Sequence, residues 1–524
     1  MTRSGGAAVV RALRDNGVEV VFGIPGTHNL EIYRHLADSP IRHVAPRHEQ
    51  GAGYAADGYA RVTGRPGVCV TTTGPGLTNI STAAATAYGD SIPLLVVSPG
   101  VPRGMEGADV GWLHEVKDQS AHMDRLLDRS VRVDSAAEAY QAIAETFARW
   151  RVERPRPVHV EVPVDVLDGE WDGETPAAGT YAGPTPDPAA LSAAATALSR
   201  ARNPLLLLGG GARAAAPEAV ALAEALDLPV VTTVNGKGIV PESHPLSLGS
   251  SLRLPEAWAL VENADVLLVV GSELGDSDLW GHELKPTGEV VRVDVDERQL
   301  HKNVRATVAV HSDAGNAMRA LAAAAPGPAA TGARERVAEA RGVLREQARS
   351  DGGQWEAVNR ILADELPPDA VVAGDSAQVS YYGTVHFWSA RQPGQFLYPC
   401  GYATLGYGLP AAIGAKIAHP DRAVVTLVGD GGFQFTAMEL ATAAAERLSI
   451  PVVVMNNHGY AEIREEMDQR GMSRTGVDFD VVDHAALAKA CGGQGVRLGG
   501  LDELPAALRT ALSTPSPTVI EVPA

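Results

Sequence analysis

The sequence predicts an α/β protein made of three doubly wound domains, each with a parallel β-sheet. Short β-branched apolar runs alternate with Ala- and Leu-rich helical stretches along all 524 residues. Many of these runs end in Gly, Asn or Asp, and two Pro- and Gly-rich stretches divide the chain into blocks of domain size. Continuous apolar runs are typical of strands buried on both faces, which occur in parallel sheets with crossover helices.

The three blocks are predicted at residues 1–170, 188–325 and 350–524. The first block begins with a helix in MTRSGGAAVVRALRDNG and holds the strands VEVVF, GVCVTTT and PLLVVS. The middle block holds PLLLLG, PVVTTV, ADVLLVVG and EVVRVDVD, and the last holds AVVAGDS, AVVTLVGD, PVVVMNN and PTVIEV. The linkers are a Gly/Pro/Thr-rich stretch at 168–190 and a Pro/Gly/Ala break followed by a charged helix at 322–342.

The first and last blocks end alike. RPRPVHVEVP at 154–163 and TPSPTVIEVP at 514–523 each follow an amphipathic helix with a Pro-x-Pro break and one strand. Such Pro-flanked strands are common, so one similarity of this kind is weak evidence for related domains. It nevertheless suggests two related domains on either side of a different one.

Charge and composition exclude several classes of function. The net charge is −19 and there is no basic run, so nucleic acids and anionic membranes are poor partners. No apolar stretch reaches the roughly 18 to 20 residues of a membrane span, and the N-terminus lacks a signal-peptide pattern. The three cysteines form no CxxC pair, which argues against a disulfide framework or a thiolate zinc site and favours the cytoplasm.

The last block contains a predicted phosphate-binding turn. A strand runs into Gly429, Asp430, Gly431 and Gly432, and a helix is expected from about Thr436. Glycines let backbone N–H groups approach a phosphate, and a helix N-terminus favours an anion. Asp430 stands at the carboxyl end of a strand, where α/β proteins place ligands.

A magnesium site is predicted beside this turn. Asn457 follows the next strand, 27 residues after Asp430, which is the length of one crossover unit. Since adjacent strands lie about 4.8 Å apart, both side chains can reach one hard cation, with the carbonyl of Gly459 as a third ligand. The alternative is a Gly-rich turn and an Asn-rich loop that bind no metal.

The unit from GDG to NN resembles the diphosphate and magnesium motif of thiamine-diphosphate enzymes. GYATLGYGLPAAIGAKIA at 401–418 is similar to their segment beside the cofactor aminopyrimidine. VVFGIPGTHNLEIYRHL and RHEQGAGYAADGYARVTGRPGVCVTTTGPGLTN resemble the start of their pyrimidine-binding domain. The resemblance covers nearly the whole chain, in the order pyrimidine-binding, middle and diphosphate-binding domain. It is strongest to the acetolactate-synthase-like family of 2-oxo acid decarboxylases and carboligases.

The resemblance implies thiamine diphosphate, Mg²⁺ and a set of cofactor contacts. Glu49 matches the carboxylate that bonds the pyrimidine ring and shifts it to the imino tautomer, and the small residues after it would give the ring room. The alternative for Glu49 is an ordinary helix-start acid facing the dipole. The implied cofactor contacts are Gly401, Tyr402, Leu405 as the apolar wedge, Ser376, Gln378, Gly429, Asp430, Gly431, Gly432, Asn457 and Tyr460, with Asp430, Asn457 and Gly459 on the metal.

The resemblance places His28 and His114 at the substrate, as proton carriers. For each, a structural or solvent-facing loop histidine is the alternative. FGIPGTHNLEIY and LHEVKDQ together look most like decarboxylases of 5-guanidino-2-oxopentanoate. Acidic side chains would then hold a cationic substrate tail, unless they form only a solvated loop. The polar residues at the pocket mouth are Glu115, Asp118, Gln119 and Glu462.

The predicted reaction is non-oxidative decarboxylation of a small-molecule 2-oxo acid to an aldehyde and CO₂. The alternatives are a carboligase of the acetolactate-synthase type, an FAD-dependent oxidase and a non-catalytic scaffold. FAD is not expected, because LLLLGGGARAA at 205–215 lacks the dinucleotide pattern and LGSSLRLPEAW at 248–258 replaces the usual flavin contact. The resemblance also implies a homo-oligomer, a dimer or tetramer, with each site between subunits.

Overall fold

The computed structural model describes residues 3–324, 327, 331–479 and 482–524. The N-terminal part contains a six-stranded parallel sheet and an antiparallel pair formed by its first and last strands. Its strands are β1 (Arg3–Ser4), β2 (Val20–Gly23), β3 (Arg42–Val44), β4 (Gly67–Val70), β5 (Leu94–Gly100), β6 (Arg129–Arg132), β7 (Val158–Pro163) and β8 (Glu170–Trp171). Its α-helices are α1 (Gly5–Asp15), α2 (Leu30–Ala37), α3 (Glu49–Thr63), α4 (Pro75–Gly89), α5 (Gln119–Asp124), α6 (Ala136–Trp150) and α7 (Val164–Asp168).

The middle part contains a five-stranded parallel sheet. Its strands are β9 (Pro204–Leu208), β10 (Val230–Thr232), β11 (Val266–Val270), β12 (Glu289–Asp294) and β13 (Val308–His311). Its helices are α8 (Pro188–Arg200), α9 (Ala216–Leu226), α10 (Pro255–Glu262), α11 (Asp276–Leu279) and α12 (Ala314–Ala324). The charged helix α13 (Ala333–Gly352) leads to the last part, as predicted.

The C-terminal part contains a second six-stranded parallel sheet. Its strands are β14 (Val371–Gly374), β15 (Phe396–Leu397), β16 (Val424–Gly429), β17 (Pro451–Asn456), β18 (Gln494–Arg497) and β19 (Thr518–Pro523). Its helices are α14 (Glu356–Glu365), α15 (Val385–Phe387), α16 (Gly408–Ala418), α17 (Asp430–Phe433), α18 (Glu439–Ala445), α19 (Ala461–Gln469), α20 (His484–Ala490) and α21 (Leu504–Ser513). Short 3₁₀ helices occupy Thr27–Asn29, Gly210–Ala215, Glu297–Gln299, Gly353–Trp355 and Leu501–Glu503, and a π-helical turn occupies Val379–Thr384.

The predicted fold class is confirmed, and the two outer sheets have the same strand order. The first sheet runs β3-β2-β4-β5-β7-β6 and the last runs β15-β14-β16-β17-β19-β18. In order of appearance within each sheet, both are 2-1-3-4-6-5. The two echoing segments form β7 and β19, which are the sixth strand of each sheet. The middle sheet, β10-β9-β11-β12-β13, has a different order.

The helix after the GDG turn starts at a different residue from the one expected, and part of the second linker lies outside the described chain. The helix after the GDG turn begins at Asp430 itself, as α17, and α18 begins only at Glu439. The start expected near Thr436 is therefore wrong. In the second linker, residues 325, 326 and 328–330 lie outside the described residues. Within the described chain, no helix is long and apolar enough to cross a membrane.

The small residues that follow Glu49 pack against protein. A Cβ on Gly58 would lie 2.2 Å from the carbonyl oxygen of Ala411, and one on Gly414 would lie 1.8 Å from that of Ala55. Helices α3 and α16 are therefore in backbone contact, which only small side chains allow. The expectation that this run makes room for a cofactor ring is wrong for its glycines: Gly51 and Gly58 meet the C-terminal part, and Gly53 packs on α4.

Candidate active site

Three oxygen atoms converge at the carboxyl edge of the last sheet. β16 pairs with β17 in parallel register, with Gly429 beside Met455, so Asp430 and Asn457 follow neighbouring strand ends. The amide atom of Asn457 that faces this edge is its oxygen, 3.1 Å from Asp430 Oδ1 and 3.0 Å from the Gly459 carbonyl oxygen. Turning the amide would replace these contacts with hydrogen bonds. A hard cation would also explain them, because cis ligands at about 2.1 Å in an octahedral shell lie about 3 Å apart.

The backbone of the Asn457–Tyr460 loop allows these three oxygens to converge. Gly459 has φ +150°, and a Cβ there would lie 1.9 Å from the carbonyl oxygen of Val477. Asp430 is 1% exposed. Burial raises its pKa, and N–H groups of Asn457 and Gly459 oppose that rise. The candidate cation site is therefore this set of three oxygens. In the described chain no group of three or more His, Cys, Asp or Glu side chains is arranged to hold a metal.

The segment beside the turn is held by two buried carboxylates that the sequence did not single out. Asp90 accepts the backbone N–H of Gly401 at 2.8 Å. Asp375 accepts the N–H of Gly406 at 3.0 Å. Burial raises the pKa of Asp375 to about 6, and hydrogen bonds from backbone N–H groups, including those of Ser376 and Gly406, oppose that rise. Leu405 lies over Gly432, where a Cβ would be 3.5 Å from the leucine Cδ2. Tyr402 is half exposed at 51%.

The other residues predicted to touch the cofactor diphosphate surround the same turn. Gly431 packs under Tyr460, since a Cβ there would lie 2.7 Å from its ring. Gly429 ends β16, and Ser376 lies just beyond β14, where its N–H donates to Asp375 Oδ1 at 2.8 Å. The structure thus gathers this predicted set at one sheet edge, except for the side chain of Gln378, which is directed away from it.

Glu49 begins α3 and is 8% exposed. Its Oε2 accepts a hydrogen bond from Asn79 Nδ2 at 2.9 Å. Its Oε1 faces Gly76, where a Cβ would lie 3.2 Å away. In the described chain Oε1 accepts no hydrogen bond, so a buried carboxylate oxygen is aimed at the space over a glycine. These contacts all lie within the N-terminal part.

His28 and His114 lie together, as predicted for a shared role. Their ring centroids are 5.2 Å apart in an edge-to-face arrangement, and His28 stacks on Trp112 at 4.4 Å. The hydroxyl of Thr73 lies 2.7 Å from His28 Nδ1 and 3.3 Å from His114 Nδ1. Burial and the neighbouring His114 lower the pKa of His28. Thr73 and Trp112 were not singled out from the sequence.

The polar side chains after His114 form hydrogen bonds mainly to backbone groups of their own loop and of the segments next to it. The carboxylate of Glu115 accepts N–H groups of three loop residues at 2.7–3.0 Å. Asp118 caps α5 by accepting the N–H of Ala121 at 2.8 Å. Gln119, 8% exposed, accepts the N–H of Gly74 and donates to the carbonyl of Pro99. These bonds hold the loop that presents His114.

Glu462 lies in the C-terminal half, within an acidic and aromatic group. Gln378 Nε2 donates to Glu462 Oε2 at 2.9 Å and to Glu465 Oε2 at 3.1 Å. Tyr382 OH donates to Glu462 Oε1 at 3.0 Å, and burial together with the two carboxylates raises the pKa of Tyr382. Among the described residues, neither glutamate forms a salt bridge. The amide of Gln378, predicted to hold the diphosphate, is directed here instead.

The predicted site residues thus form two groups, one at each end of the chain. Glu49, His28 and His114 belong to the first sheet, whereas Asp430 and Glu462 belong to the last. None of their described hydrogen bonds joins one group to the other. A cavity of about 1840 Å³ extends from Asp90 and Gly401 to the carboxyl ends of β9 and β11, where Gly210, Gly271 and Ser272 line it.

Comparisons with known proteins identify the same family across all three parts. Models of thiamine pyrophosphate (thiamine diphosphate) enzymes match the N-terminal binding domain at residues 3–122, the central domain at 191–321 and the C-terminal binding domain at 375–522. The chain is 42% identical to a probable 2-ketoarginine decarboxylase, AruI, of Pseudomonas aeruginosa, over 99% of this chain and 94% of that protein.

Acetolactate synthases are also similar. A probable large subunit from Methanocaldococcus jannaschii is 31% identical over 99% of this chain and 91% of its own. The large subunit of isozyme 1 from Escherichia coli is 32% identical over 88% of this chain and 83% of its own. The chain therefore belongs to the thiamine-diphosphate-dependent enzymes, in the branch of 2-oxo acid decarboxylases and acetolactate-synthase-like carboligases.

Proposed function

We propose that the protein decarboxylates 5-guanidino-2-oxopentanoate, the compound also called 2-ketoarginine, to 4-guanidinobutanal and CO₂. The observation that supports this choice of substrate is the carboxylate of Glu462. It lies beside the Asn457–Tyr460 loop and has no cationic partner among the described residues. A guanidinium group matches a carboxylate by charge-assisted, bidentate hydrogen bonding. The similarity to a probable 2-ketoarginine decarboxylase supports the same substrate.

The residues present fit thiamine diphosphate and Mg²⁺. Asp430, Asn457 and the carbonyl of Gly459 would hold the metal ion, because their oxygens already converge. The buried carboxylate of Glu49, with Oε1 open over Gly76, would hold the pyrimidine ring. When bound, thiamine diphosphate supplies the nucleophilic carbon that takes up the 2-oxo acid. The protein's own task is to position it, to exclude water and to move protons.

We propose a homo-oligomer in which the N-terminal part of one copy meets the C-terminal part of another. The separation of the two groups within one chain supports this arrangement. Tyr402, Phe435 and Met438, which are 51–57% exposed, would be covered there, as would Leu113 beside His114. Contiguous exposed apolar surface is typical of interaction sites. A dimer or a tetramer of two dimers satisfies the requirement.

Complementation tests the shared site. Glu49→Gln and Asp430→Asn are each expected to be inactive alone. When the two are co-expressed and mixed subunits form at random, half of the dimers carry one intact site, which predicts about a quarter of the wild-type activity. No recovery in a mixed dimer verified by two affinity tags would contradict a site between subunits.

A 2-oxo acid panel tests the reaction. Pyruvate alone, pyruvate with an aldehyde, and 5-guanidino-2-oxopentanoate are each incubated with the holoenzyme, and CO₂ and products are measured. We expect CO₂ and 4-guanidinobutanal in equal amounts from the guanidino acid. Acetolactate from pyruvate at a higher kcat/KM would instead select the carboligase reaction, which the similarity to acetolactate synthases favours.

We also propose three domains at 1–170, 188–325 and 350–524, a middle domain without FAD, and a cytoplasmic protein. Limited proteolysis is expected to cut first at 168–190 and 322–342. Purified protein without absorbance near 450 nm (roughly the flavin band) would support the absence of FAD, and a yellow protein would contradict it. The three free cysteines fit a reducing compartment, and fractionation of the source cells tests the location.

A further inference from the structure

We propose that Thr73 joins His28 and His114 into a single proton relay and sets their tautomers. The inference rests on the proposed decarboxylation, since it assigns the two proton transfers of that reaction to these rings. Thr73 is 1% exposed, and its hydroxyl lies within hydrogen-bond distance of Nδ1 of both imidazoles. In the described chain it has no other hydrogen-bond partner.

A hydroxyl bridging two imidazoles gives them opposite tautomers. Thr73 has one proton to donate and lone pairs to accept. When both rings are neutral, the hydroxyl donates to one Nδ1, and the other ring donates its Nδ1–H to the hydroxyl oxygen. One ring therefore carries its proton on Nδ1 and has a bare Nε2, while the other has Nε2–H. Burial lowers the pKa of His28 and so favours its neutral form.

Neither Nε2 atom has a hydrogen-bond partner among the described residues, so both are available to a ligand. The edge-to-face contact of the two rings, 5.2 Å between centroids, places the two Nε2 atoms on different ring planes. The stack of His28 on Trp112 and the Glu115-closed loop that carries His114 fix the rings in these orientations. The relay thus has one acid end and one base end, held rigidly.

Decarboxylation to an aldehyde needs both ends. The carbon that has lost CO₂ must gain a proton, and the hydroxyl formed from the 2-oxo group must lose one as the carbonyl returns. The substrate O–H passes its proton to the bare Nε2, that ring passes Nδ1–H to the Thr73 oxygen, and the Thr73 O–H passes its proton to the second Nδ1. The second ring then gives its Nε2–H to the carbon. One proton moves from oxygen to carbon, and both rings end neutral with exchanged tautomers.

The first test reads the tautomers without turnover. Protein labelled with ¹⁵N-histidine is examined by NMR, with the His28→Gln and His114→Gln variants to assign the signals. We expect one ring protonated at Nδ1 and the other at Nε2. In Thr73→Val, both rings should take the Nε2–H form, whereas Thr73→Ser should keep the pair. Two identical tautomers in the wild-type protein, or no change in Thr73→Val, would overturn the relay.

The second test measures catalysis. In Thr73→Val we expect kcat to fall about 100-fold, the low end of what positioned proton transfer contributes, with KM unchanged because the hydroxyl bonds only the imidazoles. Thr73→Ser should restore most of the rate. Thr72→Val is the matched control, since the Thr72 hydroxyl makes no hydrogen bond in the described chain.

The outcomes separate this inference from the proposed function. Equal losses of kcat in Thr73→Val and Thr73→Ser would show that Thr73 has only a packing role, and would reject the relay. CO₂ release with identical tautomers would reject the relay alone. Opposite tautomers without CO₂ release from any 2-oxo acid would reject the reaction, and the relay with it, although the hydrogen-bonded triad itself would stand.

Discussion

Replacing Glu462 by Gln should selectively remove activity on the guanidino substrate. The change keeps the shape of the side chain and removes its charge. Its hydrogen bonds to Gln378 and Tyr382 show that the carboxylate is fixed in place, at 2.9 and 3.0 Å. A guanidinium bound there would meet an oriented acceptor that carries no competing salt bridge among the described residues.

The expected size of the effect follows from burial. Hydrogen bonds to charged groups contribute about 1.5–3 kcal/mol, which corresponds to a loss of about 10- to 150-fold in kcat/KM for half-buried Glu462. Glu465 shares the same amide but is exposed, and exposed pairs contribute about 0.2–1 kcal/mol. Glu465→Gln should therefore cost at most about fivefold.

The assay compares 5-guanidino-2-oxopentanoate with 2-oxohexanoate, a 2-oxo acid of similar length whose side chain is uncharged, in the same holoenzyme. The ratio of their kcat/KM values should fall in Glu462→Gln, while 2-oxohexanoate is unaffected or improves. Glu466→Gln is the matched control, because Glu466 lies on the same helix and pairs with Arg470 at 2.8 Å. Equal losses with both substrates in Glu462→Gln would refute the assignment of a cation subsite to this carboxylate.

Three further changes probe the cofactor site and the fold. Glu49→Gln should lower kcat by about 10²–10⁴-fold with thiamine diphosphate binding retained by calorimetry; a wild-type rate would contradict its role. Gly459→Ala, at φ +150° and with a Cβ 1.9 Å from the Val477 carbonyl oxygen, should weaken Mg²⁺ binding at least about tenfold; unchanged Mg²⁺ titration would contradict the loop argument. Burial lowers the pKa of His159 from 6.5 to about 3, so the unfolded chain binds more protons and stability is lost as pH falls below 6.5. Between pH 8 and pH 5 this amounts to about 2 kcal/mol, which chemical denaturation should show as a smaller pH dependence in His159→Gln.

The strands that the sequence indicated are nearly all inside the sheets, and those it missed form the edges. β16 and β17 are almost wholly buried, and their apolar runs are visible in the sequence. β6, by contrast, reads Arg-Ser-Val-Arg and is half-buried along its length. β3, β13, β15 and β18 are likewise edge strands. Edge strands are short and often charged, so they lack the continuous apolar pattern that identifies a buried strand.

In the site, residues that follow a recognisable strand could be predicted from the sequence, whereas residues placed by distant parts of the chain could not. Asp430 and Asn457 could be predicted because they follow strands that any parallel sheet would place side by side. The side chains that hold other parts of the site could not be predicted. Asp90 accepts a hydrogen bond from Gly401, which lies 311 residues away, and Thr73 contacts His114, which lies on a different loop. Their residue types are unremarkable in sequence, and only the packing of the domains gives them a partner.

The shared topology of the outer sheets places the two groups of predicted site residues at equivalent edges. In both sheets polar groups follow the carboxyl ends of the first and third strands, where α/β folds place ligands. The first sheet presents His28 after β2 and Thr73 after β4, which are the proposed proton carriers. The last sheet presents Ser376 after β14 and Asp430 after β16, next to the three converging oxygens. Helices α3 and α16 fix the two parts of one chain to each other, and no described hydrogen bond joins Glu49, His28 or His114 to Asp430 or Glu462. In the proposed oligomer, a second copy would bring the proton-transfer edge of one sheet over the cation-binding edge of the other.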